Sequence, residues 1–261
     1  MRLAAAAFLI ATAAGAQTPR SYTYEFTLDT KGKDKDGPVH GTVRVSGGRA
    51  RVDTDKRKEN GDYILVSDGG QTVIVVHPKD GTYQEHDAED FARIVGTALR
   101  AVGAIVKFDV RNTSVDTERL GAGGTFAGRS TQHYRVSQHW NTTVKVMGFG
   151  KELPGSADGE YWADPSLTLM RNPVFDIAAT SMLALAATDD AFLSRSAGAR
   201  ERLFRGSPLK ADIRMRVSGD DGDDNTRLRY EVTRFTPGAV DESALQPPKG
   251  YRREKGLTVS F

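Results

Sequence analysis

The segment YTYEFTL at residues 22–28 shows the pattern that decides the fold. Large apolar side chains occupy every second position of this segment: Tyr22, Tyr24, Phe26 and Leu28. Successive side chains of a β-strand point to opposite faces, so a period of two predicts a strand with one buried face. We therefore expect an antiparallel sheet that packs one face against a core.

The same alternation recurs along most of the chain. It predicts hairpin strands, separated by glycine-containing turns, near residues 43–45, 50–52, 63–66, 73–76 and 82–86. Further strands are expected at about 104–118, 130–138, 141–149, 158–163, 209–218 and 227–235, with the glycine-rich segment 121–128 as a turn. Neither an internal repeat nor a long linker interrupts this pattern, so we predict one domain over residues 17–261.

Two stretches have the helical period instead. Apolar residues follow helical spacing from Phe91 to Val102, with Asp87 as the expected N-cap. Residues 173–204 also favour helices, with Asn172 as N-cap and Pro173 in the first turn. The predicted fold class is mainly β with α: a single strongly curved antiparallel sheet or incomplete barrel, lidded by amphipathic helices.

The N-terminus predicts export. The segment MRLAAAAFLIATAAGA combines the positive charge of Arg2, a short apolar run and an Ala-Gly-Ala cleavage pattern at 14–16. About a dozen apolar residues are too few to span a bilayer, which needs about 20. We expect cleavage of a signal peptide at residues 1–16 and a periplasmic mature protein.

Composition excludes several classes of site. The chain has no cysteine, so it has no disulfide, no thiolate metal site, no cysteine nucleophile and no lipid-anchored cysteine. Its 36 Lys and Arg residues nearly balance its 34 Asp and Glu residues, so bulk attraction to nucleic acid is not expected.

The five histidines predict no metal site. His133 and His139 share a face if 132–140 is a strand, but six residues at about 3.3 Å each separate them by roughly 20 Å. His86 is expected opposite a residue near 73, away from His77. The chain also lacks a Gly-x-Ser-x-Gly nucleophile elbow and a complete phosphate loop. We therefore predict no catalytic residue, no cofactor and no metal.

Four arginines project from one face of the last predicted hairpin: Arg214, Arg216, Arg227 and Arg229. Every register that keeps the apolar partners inward leaves at least one Arg–Arg pair directly opposite. Like charges in that position are destabilising, so an acidic neighbour or an anionic ligand should lie there. Two interpretations stay open: a solvated face balanced by Asp212, Glu231 or an adjoining strand, or a contact for anionic headgroups or polymers.

Several short motifs resemble the envelope superfamily typified by the lipoprotein carrier LolA, its outer-membrane receptor LolB and the sensor RseB, and more closely an exported LolA-like family. They include GRSTQHYRV at 128–136, EYWADP at 160–165 and the ending Asp241-x-x-x-Leu245-x-x-Pro248-x-Gly250-Tyr251. The resemblance covers roughly residues 20–253. It implies an incomplete antiparallel barrel whose concave face is lidded by helices and holds acyl chains or lipidated partners.

These observations predict a non-enzymatic periplasmic protein that binds a lipid, a lipidated polypeptide or another amphiphile. The expected cavity is lined by inward-facing side chains of the sheet and helices: Tyr22, Tyr24, Phe26, Val43, Val45, Tyr63, Leu65, Phe91, Ile94, Leu99, Phe175, Met182 and Leu183. The alternative is an envelope interaction or sensor module with a closed core and a working outer surface, in transient contact with the membrane or envelope proteins. A hydrolase would need ionisable residues clustered in a cleft.

Overall fold

The computed structural model describes residues 19–31, 37–55, 61–88, 90–91, 107–146, 149–168, 170, 172–177, 206–218 and 224–255. Twelve strands account for most of them: β1 Ser21–Lys31, β2 Val39–Ser46, β3 Arg49–Thr54, β4 Tyr63–Ser67, β5 Thr72–His77, β6 Thr82–Asp87, β7 Lys107–Phe126, β8 Arg129–Val146, β9 Phe149–Asp164, β10 Ser207–Val217, β11 Asp224–Pro237 and β12 Arg252–Glu254.

All twelve strands belong to one open, curved sheet in the order β12-β6-β5-β4-β3-β2-β1-β11-β10-β9-β8-β7. Neighbours are antiparallel except β12 and β6, which are parallel. The predicted mainly β architecture, built on a single open and curved sheet, is confirmed. Described α-helical residues are confined to 88, 90–91 and 173–177, so most of the predicted lid lies outside the described residues, together with Ile94, Leu99, Met182 and Leu183.

The glycine-rich segment 121–128 differs from its prediction as a turn. β7 continues through it, and the turn occupies only Ala127 and Gly128. Two register shifts, one between Arg119 and Gly121 and one between Ala122 and Gly124, mark β-bulges, and both glycines have positive φ. Bulges absorb such residues without ending a strand. Likewise β8 is one strand where two were predicted.

The sheet has two chemically different faces. The first, called the core face below, carries the main cluster of buried side chains, which comes from β1–β4 and β8–β11 and from residues 167–175. A second cluster, Val73, Val75 and Phe91, continues this face, because Ile64 packs against both clusters. The opposite face, called the outer face below, carries most of the charged side chains of β8–β11.

The C-terminal residues 238–255, called the strap below, return along the sheet. Asp241 caps a 3-10 turn, Glu242–Leu245, by accepting a hydrogen bond from the Ser243 amide at 2.9 Å. This turn packs near β2 and β3. The strap then places Tyr251 on the outer face and ends in β12, which pairs with the edge of β6.

Candidate functional site

The core face brings together most of the described residues predicted to line a cavity. Six of them, each at most 3 % exposed, lie in the main cluster: Tyr22, Tyr24, Phe26, Val43, Val45 and Phe175. Leu167, Met170 and Val174 belong to the same cluster and occupy the space in front of these strands. Phe91 lies in the neighbouring cluster on the same face. The centre of the core face is therefore packed.

Tyr63 and Leu65 lie on the other side of the sheet, which corrects the prediction that they share this face. In β4, Ile64 and Val66 pack on the core face, so the alternate residues point outward. There they pack with Ile74 and Val76 and with the partly buried Tyr83 and Tyr251. The run Tyr-Ile-Leu-Val is apolar on both faces because the strap covers its outer side.

A buried asparagine joins the first described turn of residues 173–177 to the sheet. Asn172 Oδ1 accepts hydrogen bonds from the Tyr24 hydroxyl at 2.9 Å and from the Phe175 amide at 3.1 Å. Its Nδ2 donates to the Pro208 carbonyl at 3.0 Å and to the Tyr230 hydroxyl. The predicted N-cap is confirmed, and the same side chain anchors the turn to β1, β10 and β11.

The phenols around this asparagine stay neutral over the physiological range. Burial raises the pKa of Tyr24 and of Tyr230 well above the ordinary value for tyrosine. Burial, and to a smaller extent the charge of Asp164, raises the pKa of Tyr22 to about 12. The centre of the core face is therefore uncharged, and it offers hydrogen bonds that its own residues already satisfy.

A second polar cluster closes one end of the core face. Arg129 Nε donates to Asp164 Oδ2 at 2.6 Å, and Arg129 Nη2 donates to Ser166 Oγ at 2.5 Å. The Ser166 amide donates to Asp164 Oδ1 at 2.9 Å. Asp164 is 3 % exposed, so its charge depends on this arginine for compensation. The cluster fixes the chain where it leaves β9.

The outer face has an open groove of about 620 Å³ over β1–β3. Its lining includes the ionisable side chains of Glu25, His40 and Asp55. Arg44 and Arg51 both bind the same carboxylate, that of Asp53, at 2.6 Å and 2.8 Å. The groove therefore presents alternating charges, and its chemistry suits polar ligands better than acyl chains.

The predicted arginine stripe lies on the outer face of β10 and β11. Arg214 is directly opposite Arg227, one of the pairings that the sequence allows, whereas Arg216 faces Asn225. Asp212 accepts hydrogen bonds from Arg227, at 2.8 Å from its Nε, and lies 3.7 Å from Arg229. The hydrogen bond from Arg227 is the main cause that lowers the pKa of Asp212. An acidic neighbour thus accompanies the stripe, as the solvated-face interpretation requires.

The histidines lie apart, as their spacing predicts. His86 is opposite Val73, and His133 stacks on Trp162 with ring centroids 4.5 Å apart. Within the described ranges, no three His, Asp or Glu side chains are grouped so that they could hold a metal ion. The same part of the chain contains no helix long and apolar enough to cross a membrane.

Comparison with known proteins gives little further information. No family model matches the chain, and no curated protein does. Two solved structures of PNGF-II are similar to 89 % of the chain: the C2 form with 12 % identity and a TM-score of 0.36, and the P21 form with 9 % identity and a TM-score of 0.31. The chain spans about a third of their length, 31 % and 32 %. Likeness at this level carries no argument about function.

Proposed function

We propose that the protein is an exported, non-enzymatic binding protein of the periplasm that holds an amphiphile, such as a lipid or a lipidated polypeptide, on the core face. The observation that carries this proposal is the open sheet whose core face is apolar along β1–β4 and β8–β11. An open sheet cannot cover its own apolar face, and a curved sheet with an apolar concave side is a common form of ligand site.

We place the ligand on the core face, beside its packed centre. Within the main cluster, the Asn172 network ties residues 172–175 to the strands, so a ligand there would have to break several buried hydrogen bonds. β8 and β9 continue past this region, since β10 pairs with β9 only as far as Gly155. At that limit the buried indole of Trp140 lies against Gly155 on the core face. We place the ligand near this indole.

The two tryptophans allow a direct test, because they lie on opposite faces. Trp140 is on the core face, whereas Trp162 stacks on His133 on the outer face. Trp162→Phe leaves only the core-face reporter, and Trp140→Phe leaves only the outer-face reporter. Each variant would be titrated with a brominated fatty acid, whose bromine quenches tryptophan fluorescence on contact.

The proposal predicts saturable quenching in the Trp162→Phe variant and none in the Trp140→Phe variant. Circular dichroism of both variants controls for folding. Mass spectrometry of organic extracts from the periplasmic protein would then identify the natural ligand. Equal quenching in both variants, or no saturable quenching in either, would count against a core-face site.

The second candidate function is an interaction module that works through its outer face, and the packed centre and the outer groove favour it. Its test is sedimentation with anionic vesicles. The double variant Arg214→Glu/Arg229→Glu should lose vesicle binding, while the control Arg20→Glu/Arg49→Glu, which makes the same change in charge at exposed positions, should retain it.

A further inference from the structure

The two edges of the sheet end in strands of very different length. At one edge, β12 pairs with β6, so the strap supplies an added strand there. At the other edge lies β7, a strand of 20 residues that pairs with β8 on one side. Unpaired edge strands expose a row of amide and carbonyl groups, and natural proteins usually shorten or cover them. None of the described strands pairs with the other side of β7, and a long edge of this kind is a place where another strand can add.

One part of β7 is regular enough to accept a strand. Residues 114–119 pair with β8 in continuous register, and bulges lie on both sides of this stretch, between Arg111 and Ser114 and between Arg119 and Gly121. Most side chains in the stretch are exposed. Because bulges twist and interrupt an edge, an added strand would be about six residues long.

The charges of this stretch define what can pair with it. Asp116 and Glu118 are exposed on the outer face, where their partners in β8 are Ser137 and Arg135. Val115, Thr117 and Arg119 lie on the other face, where Val115 packs against the main core cluster and Arg119, at the end of the stretch, donates to Gln132 Oε1 at 2.7 Å. Residues that pair across a sheet share a face, so an added strand needs basic residues at alternate positions and apolar or β-branched residues between them.

A second copy of this chain fits the edge poorly. If two copies extended one antiparallel sheet with their core faces on the same side, residues of equal parity would pair. Registers centred on residues 116–118 would then place Asp116 opposite Asp116, Asp116 opposite Glu118, or Glu118 opposite Glu118. Like charges directly opposite are destabilising.

At the opposite edge of the sheet, β12 and β6 show the same pairing of basic with acidic side chains. β12, with the sequence Arg-Arg-Glu, is the strand added to β6, and Arg253 Nη2 lies 3.4 Å from Glu85 Oε1 of β6. A basic side chain on the added strand thus meets an acidic side chain on the edge strand. We propose that residues 114–119 of β7 bind an extended segment of a partner protein that carries Lys or Arg at alternate positions.

The test uses a peptide probe, acetylated and amidated TKVKVKT, with the full mature protein at low ionic strength. One control peptide is TEVEVET, which carries acidic residues in place of the lysines. The other is TKVKVKT with N-methyl groups at alternate residues, so that the edge of the peptide that faces β7 has no amide hydrogens to donate. We expect binding of TKVKVKT alone, with slower hydrogen exchange of those amides of residues 114–119 that point away from β8. Binding should be about tenfold weaker for Asp116→Lys/Glu118→Lys, because two attractive pairs become repulsive, and this variant should instead bind TEVEVET.

The matched control is Asp80→Lys/Glu242→Lys, which changes net charge equally at exposed positions outside β7 and should leave binding unchanged. Three results would overturn the proposal: no binding of TKVKVKT to the wild type, equal binding of the N-methylated peptide, or protection, before peptide is added, of those amides of residues 114–119 that point away from β8. The last result, with a dimer in analytical ultracentrifugation, would assign the edge to a second copy. The tryptophan quenching experiment reports on the core face, so each proposal can fail separately.

Discussion

Removal of the Asn172 side chain should cost several kcal/mol of stability, because it leaves buried polar groups without partners. Asn172→Ala removes the acceptor for the Tyr24 hydroxyl and the Phe175 amide and the donor to the Pro208 carbonyl. Each buried polar group left without a partner costs about 1–3 kcal/mol. The Tyr24 and Tyr230 hydroxyls can still bond each other, so we count two unsatisfied groups, the Phe175 amide and the Pro208 carbonyl, and expect a loss of about 2–6 kcal/mol. This is a large part of the roughly 5–15 kcal/mol that stabilises a domain.

The assay is urea unfolding followed by far-ultraviolet circular dichroism. Tyr24→Phe alone should cost about 1 kcal/mol, because Asn172 Oδ1 keeps its bond from the Phe175 amide. In the Asn172→Ala background the same change should cost more, up to about 3 kcal/mol, because it leaves the buried Tyr230 hydroxyl without the partner that it kept. Asp241→Ala, which removes an exposed cap, is the control, with a cost of about 0.5–1 kcal/mol. Additive losses, or a loss for Asn172→Ala no greater than that of the control, would refute the reasoning.

Three further predictions concern the backbone, alkaline pH and the arginine stripe. Gly206→Ala should lower the melting temperature far more than Gly128→Ala. Both glycines have positive φ, but only at Gly206 would an added Cβ collide with the backbone, at the Asp164 carbonyl. The folded pKa of Tyr22 lies above the unfolded value of 10, so its contribution to stability is complete below pH 10 and is lost as the pH rises through about 12. Phenolate absorbance should therefore show that fewer than eight tyrosines ionise before unfolding, and free ionisation of all eight near pH 10 in the folded protein would contradict this. Asp212→Asn should lower the urea midpoint at low salt, because the charge of Asp212 then no longer offsets the repulsion among the arginines of the stripe. The loss should be smaller at high salt, which screens that repulsion. An effect independent of salt would argue against that cause.

Patterns among neighbouring residues were sufficient to predict the strands, the hairpins and the buried side chains of β1. The buried positions Tyr22, Tyr24 and Phe26 are confirmed because one face of β1 is fully covered. The pairing of His86 with Val73 is confirmed because a short turn fixes the register of its hairpin. These features depend on residues close in sequence.

Other features depend on partners far along the chain. The capping role of Asn172 could be predicted from its neighbours, but its bond to Tyr24 joins residues 148 positions apart. The outward position of Leu65 depends on the strap, which the apolar run of β4 does not reveal. For the arginine stripe, the sequence allowed three registers, and pairing with β9 and β1 restricts β10 and β11 to one of them.

The distribution of packing also decides which substitutions can report on ligand binding. An arginine at Phe26 would place a charge in the filled centre of the core face, beside Gly41, over which the Phe26 ring lies. Such a variant tests folding, because burying an uncompensated charge costs several kcal/mol. Trp140 is as buried as Phe26, but it lies where β8 and β9 extend beyond β10. Replacing it by Phe keeps an uncharged aromatic ring on the core face and removes the core-face reporter, so quenching that this variant loses can be assigned to a ligand near the indole.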